Sequence, residues 1–229
     1  MNLLKLSWKN LLYSPWSLLL SLILFALGTG LVSLLLLLNT QIQEKFEKNL
    51  ADIDLVIGAK GSPMQLILCN MYHVDNPTGN ISLEEARPFL NPKHPLIRLA
   101  VPLSLGDSYR SHRIVGTTPE LVDSIYEGRI AEGKRWANDY EVNIGAAVAE
   151  ATQLKIGDQF YSSHGFADDG INVHDHGQQF KVVGILEPSG SVLDQLILTT
   201  PRTVWLVHDH EEHDHKGEDH EGHDHEGHD

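Results

Sequence analysis

The dominant pattern along the chain is one unbroken apolar run. No charged residue occurs between Lys9 and Glu44, and Trp16 to Leu38 is almost entirely Leu, Ile, Val, Phe, Ala and Gly. A bilayer core about 30 Å thick needs roughly 20 apolar residues in helical form. The run exceeds that length, and it also exceeds the apolar core of about 7–15 residues found in a signal peptide. No small-residue cleavage pattern follows Leu38, and the single cysteine, Cys69, lies too far downstream for lipid modification. The pattern therefore predicts a retained transmembrane helix.

Ser14-Pro15 marks its start, a capping residue followed by proline where a missing N–H costs nothing. Residues 1–15 form an amphipathic lead-in. Leu4, Trp8, Leu11 and Leu12 share a helical face beside Lys5 and Lys9, and Trp8, Tyr13 and Trp16 suit the headgroup zone. Ile42, Phe46 and Leu50 recur every four residues, so residues 16–50 read as a span that continues into a stalk. Lysines flank both ends, and the terminal amine tips the balance toward a cytoplasmic N-terminus.

Residues 51–207 are enough for one domain with its own core. Asp52 to Ile57 reads as a strand, and Gly58 to Ser62 as a turn. Ser82-Leu83-Glu84-Glu85 is a capping box opening a short helix. Leu96 to Leu105 and Tyr109 to Val115 read as a hairpin joined by Gly106-Asp107. Thr118-Pro119 opens a helix to about Tyr126. Glu141 to Ile144, Gln159 to Ser162, Phe180 to Leu186 and Gln195 to Leu198 read as strands. Ala146 to Leu154 reads as a helix, and Thr200-Pro201 opens the last one. Helices and strands mix without strict alternation, which predicts an α+β class.

Charge separates the tail from the rest. The chain has 17 Lys plus Arg against 31 Asp plus Glu, for a net charge of −14. From His208 onward ten acids face the single Lys216, so most of the excess lies there. No basic patch is available to meet phosphate, which argues against nucleic acid as a partner. Residues 208–229 are of low complexity, with Asp219-His220-Glu221-Gly222-His223 repeated at 224–228. A tract this polar is expected to stay disordered without a ligand. Its imidazoles and carboxylates suit zinc or another divalent transition metal. The candidate ligands are His208, His210, His213, His215, His220, His223, His225 and His228, with His174 and His176 as outlying candidates in a polar loop. No cofactor is required. His73, His94 and His112 are isolated and read as surface or hydrogen-bonded residues.

Catalytic patterns are missing from the sequence. Gly58-Ala59-Lys60-Gly61-Ser62 lacks the order of a phosphate loop, and His210-Glu211-Glu212-His213 is one residue short of the zinc-protease spacing. No GxSxG elbow occurs. The chain is expected not to be an enzyme.

Several segments, in order, resemble the N-terminal half of an FtsX-like ABC transporter permease with a MacB-like periplasmic core domain. They are Leu4 to Leu11, Asp54 to Pro63, Tyr72 to Ile81, Glu127-Gly128-Arg129 with Glu132 to Trp136, Glu141 to Gly145, Ala149 to Asp158, and Phe180 to Leu186. The resemblance implies a bacterial inner-membrane subunit with a cytoplasmic N-terminus and a periplasmic domain. It implies a permease homodimer or heterodimer, contact with membrane lipid, and a separate cytoplasmic ABC ATPase. Motion would pass through the first span to extracytoplasmic work on a lipoprotein, lipid, peptide or metal-linked cargo. Members of the family carry three further spans, so the chain is expected to be truncated. The alternative is a membrane-tethered periplasmic divalent-metal-binding module.

Overall fold

The computed structural model describes residues 13–51, 53–74, 76–164 and 178–214. The amphipathic lead-in, apart from Tyr13 to Pro15, lies outside them. The chain divides into two compact units, one up to Glu47 and one from Lys48 onward.

Helix α1 runs from Pro15 to Leu50 and buries none of its residues. Among the described residues it is the one helix long and apolar enough to cross a membrane. Its 36 residues rise about 54 Å at 1.5 Å each. Two threonine hydroxyls within it are satisfied inside the helix, as a hydrocarbon surrounding demands. The Thr29 hydroxyl donates to the Phe25 carbonyl at 2.9 Å and the Thr40 hydroxyl to the Leu36 carbonyl at 3.0 Å. Ala51, at φ +39°, turns the chain out of the helix.

The second unit is built on a mixed eight-stranded sheet. Its strands are β1 (Ser104–Tyr109), β2 (His112–Gly116), β3 (Ile130–Gly133), β4 (Glu141–Ile144), β5 (Gln159–Phe160), β6 (Ser163–His164), β7 (Phe180–Leu186) and β8 (Ile197–Thr199). Their order is β3-β7-β4-β8-β2-β1-β6, and β5 joins β7. β2–β8 and β4–β7 are parallel, and the other pairs are antiparallel. The helices of this unit are α2 (Pro63–Asn70), α3 (Leu83–Ala86), α4 (Ala146–Thr152) and α5 (Pro201–Asp214).

Both faces of the sheet are covered, and adjacent residues point to opposite cores. Val115, Val183 and Leu198 face a core with Leu121, Val122, Trp136, Leu193 and Leu196. Ile114, Val182 and Ile197 face the other, with Tyr140, Val148, Phe160 and Phe180. Phe160 stacks on Phe180 with centroids 5.6 Å apart, and Tyr140 meets Phe180 edge-on.

In β4 the apolar Val142 and Ile144 flank a fully buried Asn143. Its Oδ1 accepts the Trp136 amide at 3.2 Å and its Nδ2 donates to the Lys134 carbonyl at 2.8 Å. Gly184 of β7 lies against both, where a Cβ would collide with Asn143 and Lys134. The same loop is held at the start of β4 by Glu141. Its carboxylate accepts the Ala137 and Asn138 amides and the Lys134 ammonium. These bonds, the Ala137 amide first, hold the Glu141 carboxyl down at about 2.

The strands at Glu141–Ile144 and Phe180–Leu186 and the helix from Pro201 stand where the sequence places them. The Ser82 capping box is formed in both directions. Other expectations need correction. Residues 53–58 join no strand among the described residues, because the sheet begins at Ser104. The hairpin turns at Arg110-Ser111, with φ of +45° and +65°, and not at Gly106-Asp107. Two successive positive φ angles suit a tight two-residue turn. Gly106-Asp107 instead lies within β1, where the register slips between Leu105 and Ser108. The segment after Thr118-Pro119 forms a π-helical turn at Leu121–Ile125. Helical backbone in α5 runs from Pro201 to Asp214.

Asn143→Leu would leave the buried Trp136 N–H and the part-buried Lys134 carbonyl without these partners. The expected cost is about 2–4 kcal/mol, the lower part of the range that two groups at about 1–3 kcal/mol each would give, since one of them is only part-buried. Thermal unfolding of the detergent-solubilised chain, followed by circular dichroism, should show a midpoint lower by about 5–10 °C. An unchanged midpoint would remove Asn143 from this role.

Candidate functional site

From Lys48 onward the residues form one compact unit, so the last turn of α1 is folded with the domain. A helix leaves its final carbonyls without intrahelical partners, and a helical turn elsewhere in the chain leaves its first amides likewise. Asn49 meets both needs. Its backbone carbonyl accepts the Tyr126 phenol at 3.2 Å, and its side-chain Oδ1 accepts the Val192 amide at 2.8 Å. Val192 opens a 3₁₀ turn, Val192–Gln195, and Val192, Leu193 and Leu196 are buried in the core that Trp136 shares.

The loop that presents Val192 is bonded to itself. The Asp194 carboxylate accepts the Ser189 amide, the Ser189 hydroxyl and the Gly190 amide, each at 2.8 Å. The Ser191 hydroxyl accepts the Leu193 amide at 3.3 Å and lies 2.6 Å from the Ser189 hydroxyl. Gly190 holds φ +71°, and a Cβ there would meet the Lys48 side chain. Tyr126 closes the π-helical turn by donating its amide to the Leu121 carbonyl. Burial pushes its phenol up to about 12, and Tyr72 adds to the shift. The phenol therefore remains a hydrogen-bond donor at neutral pH.

A buried polar cluster lies on the segment that carries Tyr72. Arg113 of β2 is buried and donates to Asn76 Oδ1 at 3.1 Å and to Cys69 Sγ at 3.9 Å. His73 is buried at φ +53°. Burial first, and the Arg113 guanidinium second, lower its imidazole to about 3, so it is neutral. Asp107 and Ser108 of β1 are buried as well, and Ser108 is the register partner of Arg113.

Three of the ten expected metal ligands lie among the described residues. His208, His210 and His213 stand on the α5 backbone, while His215, His220, His223, His225, His228, His174 and His176 lie outside the described residues. Among the described residues no group of three or more His, Cys, Asp or Glu is placed to hold a metal ion. His94 Nδ1 accepts the Leu96 amide at 3.3 Å, and His112 Nδ1 lies 3.3 Å from the Gln195 carbonyl. No motif or spacing marks Asn49 or Tyr126 in the sequence. Only Asp194 leaves a trace, since Pro188-Ser189-Gly190-Ser191 before it is a turn composition.

The sequence profile of the MacB-like periplasmic core domain matches residues 18–217. The chain belongs to this family. No curated protein matches it. The MacB-like match begins inside α1 and runs through the whole sheet, so the Asn49 joint lies within the family's own unit. Membership supports an ABC transporter permease, and with the apolar helix it fits a membrane-anchored protein. The resemblance of the segments from Asp54 onward is borne out at the level of the family, and Leu4 to Leu11 lies outside the match.

Asn49→Ala leaves the Val192 amide without its acceptor, and Tyr126→Phe leaves the Asn49 carbonyl without its donor. Each is expected to cost about 1–2 kcal/mol, the range for a part-buried hydrogen bond with one orphaned partner. Denaturant unfolding of the full chain should show both losses. Full stability in both variants would mean that these bonds do not hold the joint.

Proposed function

We propose that the chain is a permease subunit of an ABC transporter in a bacterial inner membrane. Its N-terminus is cytoplasmic and its α+β domain extracytoplasmic. A separate cytoplasmic ATPase hydrolyses ATP, and the permease pairs with a second permease subunit. The apolar span carries motion to the domain, which works on a lipoprotein, lipid, peptide or metal-linked cargo. The chain supplies positioning, with no bond-breaking step of its own.

One observation carries this reading. A single MacB-like match covers both the apolar helix from residue 18 and the sheet domain. The helix ends in a turn where a backbone carbonyl and a side chain are both used to bond the domain, at Tyr126 and Val192. A bare anchor needs neither bond. Isolated from its native membrane in mild detergent, the chain should bring down a subunit that hydrolyses ATP. Asn49→Ala should lower that rate about fivefold or more, the low end of ordinary coupling between sites, with the subunit still bound. If no ATP-hydrolysing subunit accompanies the chain, the reading fails.

A second reading rests on the tract from His208, with eight of the chain's 14 histidines. There the domain is a membrane-tethered periplasmic module that binds a divalent metal such as zinc through His208, His210, His213, His215, His220, His223, His225 and His228. Trp205 is 54 % exposed on α5, within a turn of His208. Micromolar copper or nickel should quench its fluorescence, and deletion of residues 208–229 should abolish the effect. Equal quenching in the deleted chain would sink this reading.

A further inference from the structure

The buried segment around His73 is not used by the proposed transport role. Its geometry is that of a closed position held against a charge. His73 adopts a left-handed backbone, φ +53°, which is uncommon for a residue with a Cβ. Its imidazole is buried, and among the described residues Nδ1 has no hydrogen-bond partner. Arg113 of β2 reaches the same segment through its bonds to Cys69 of α2 and to Asn76. Among the described residues the titratable groups of that segment and of the side chain bonded to it are Cys69, Tyr72 and Arg113, and Asp107 is buried on β1, the strand paired to β2. Asp75, in the same segment, lies outside the described residues. The Arg113 guanidinium acts on the imidazole by repelling its charged form. A proton on His73 would put a second cation beside Arg113 in a place with little water.

We propose that residues 71–74 form an acid-released latch, closed while His73 is neutral and opened when it takes a proton. The latch bears on the joint through Tyr72, whose phenol lies close enough to add to the shift of Tyr126, the residue that donates to the Asn49 carbonyl. That last link rests on the permease reading; the latch itself does not.

The sign is fixed by linkage. The open segment binds a proton below about 6.5, the ordinary imidazole value, while the closed segment resists it. Opening therefore becomes more favourable as pH falls, by up to about tenfold per unit below 6.5. The reporters are the amides of Met71 and Val74, bonded to the Ile67 and Leu68 carbonyls at 2.9 and 3.1 Å.

Hydrogen exchange on the full chain in detergent, corrected for intrinsic rates, should show their opening constant rising about 100-fold from about pH 7 to about pH 4.5. The amides of β7 should not follow, and His73→Gln should flatten the response. A pH-independent opening constant in the wild-type chain overturns the latch. So does an equal rise in β7, which would mean that the whole domain opens together. If the latch opens while no ATP-hydrolysing partner responds to acid, the latch stands and its link to transport falls.

Discussion

A backbone amide taken out of water must find an acceptor, and the domain depends on a few short polar side chains that provide one. Asn143 accepts the Trp136 amide in the middle of the sheet. Asn49 accepts the Val192 amide at the end of α1. Asp194 accepts two amides in the loop that presents Val192, and Glu141 two more at the start of β4. The amides they serve belong to irregular backbone. Trp136, Ala137 and Asn138 lie in the loop before β4, Ser189 and Gly190 in the loop after β7, and Val192 at the first position of a 3₁₀ turn. Regular structure stops at each of these places, and the apolar cores still draw the chain in.

The same distribution explains what is legible in the sequence. Apolar residues announce themselves by run length or by β-branching. The span from Pro15, the strand at Phe180–Leu186 and the strand at Glu141–Ile144 are all readable on that basis. Asn143 sits between Val142 and Ile144, and Asn49 between Lys48 and Leu50, with nothing local to separate them from surface residues. Their importance comes from partners 7 and 143 residues away in the chain. The hairpin misleads for a related reason. Arg113, Ile114, Val115 and Gly116 are buried in succession, so the alternation that marks a half-exposed strand is erased. Gly-Asp then reads as a turn, although the chain uses it inside β1.

Histidine shows the limit from the other side. Composition draws the eye to the tract that begins at His208, yet the imidazole with the most distinctive described surroundings is His73, alone in its stretch of sequence. What sets His73 apart is burial and the nearness of Arg113 on β2, which no count of histidines records. A histidine in water and one in a dry site next to a guanidinium differ in the proton equilibrium itself.

Under the proposed permease role, the energies of the bonds at Asn49 suit coupling better than anchoring. A net hydrogen bond contributes about 0.5–1.5 kcal/mol, so the two bonds made by Asn49 together supply about 1–3 kcal/mol. That is small against the apolar burial that holds a span in a bilayer, where each buried methylene contributes about 0.8 kcal/mol. An anchor would gain nothing noticeable from them. The same figure, about 1–3 kcal/mol, equals the usual coupling free energy between two sites that bias a shared equilibrium. Bonds of this size can be made in one state and broken in another without unfolding either partner. On the proposed reading, a helix terminus whose orphan carbonyl is met by a phenol, and whose side chain meets the first amide of a distant turn, has bonds on the scale of a switchable contact.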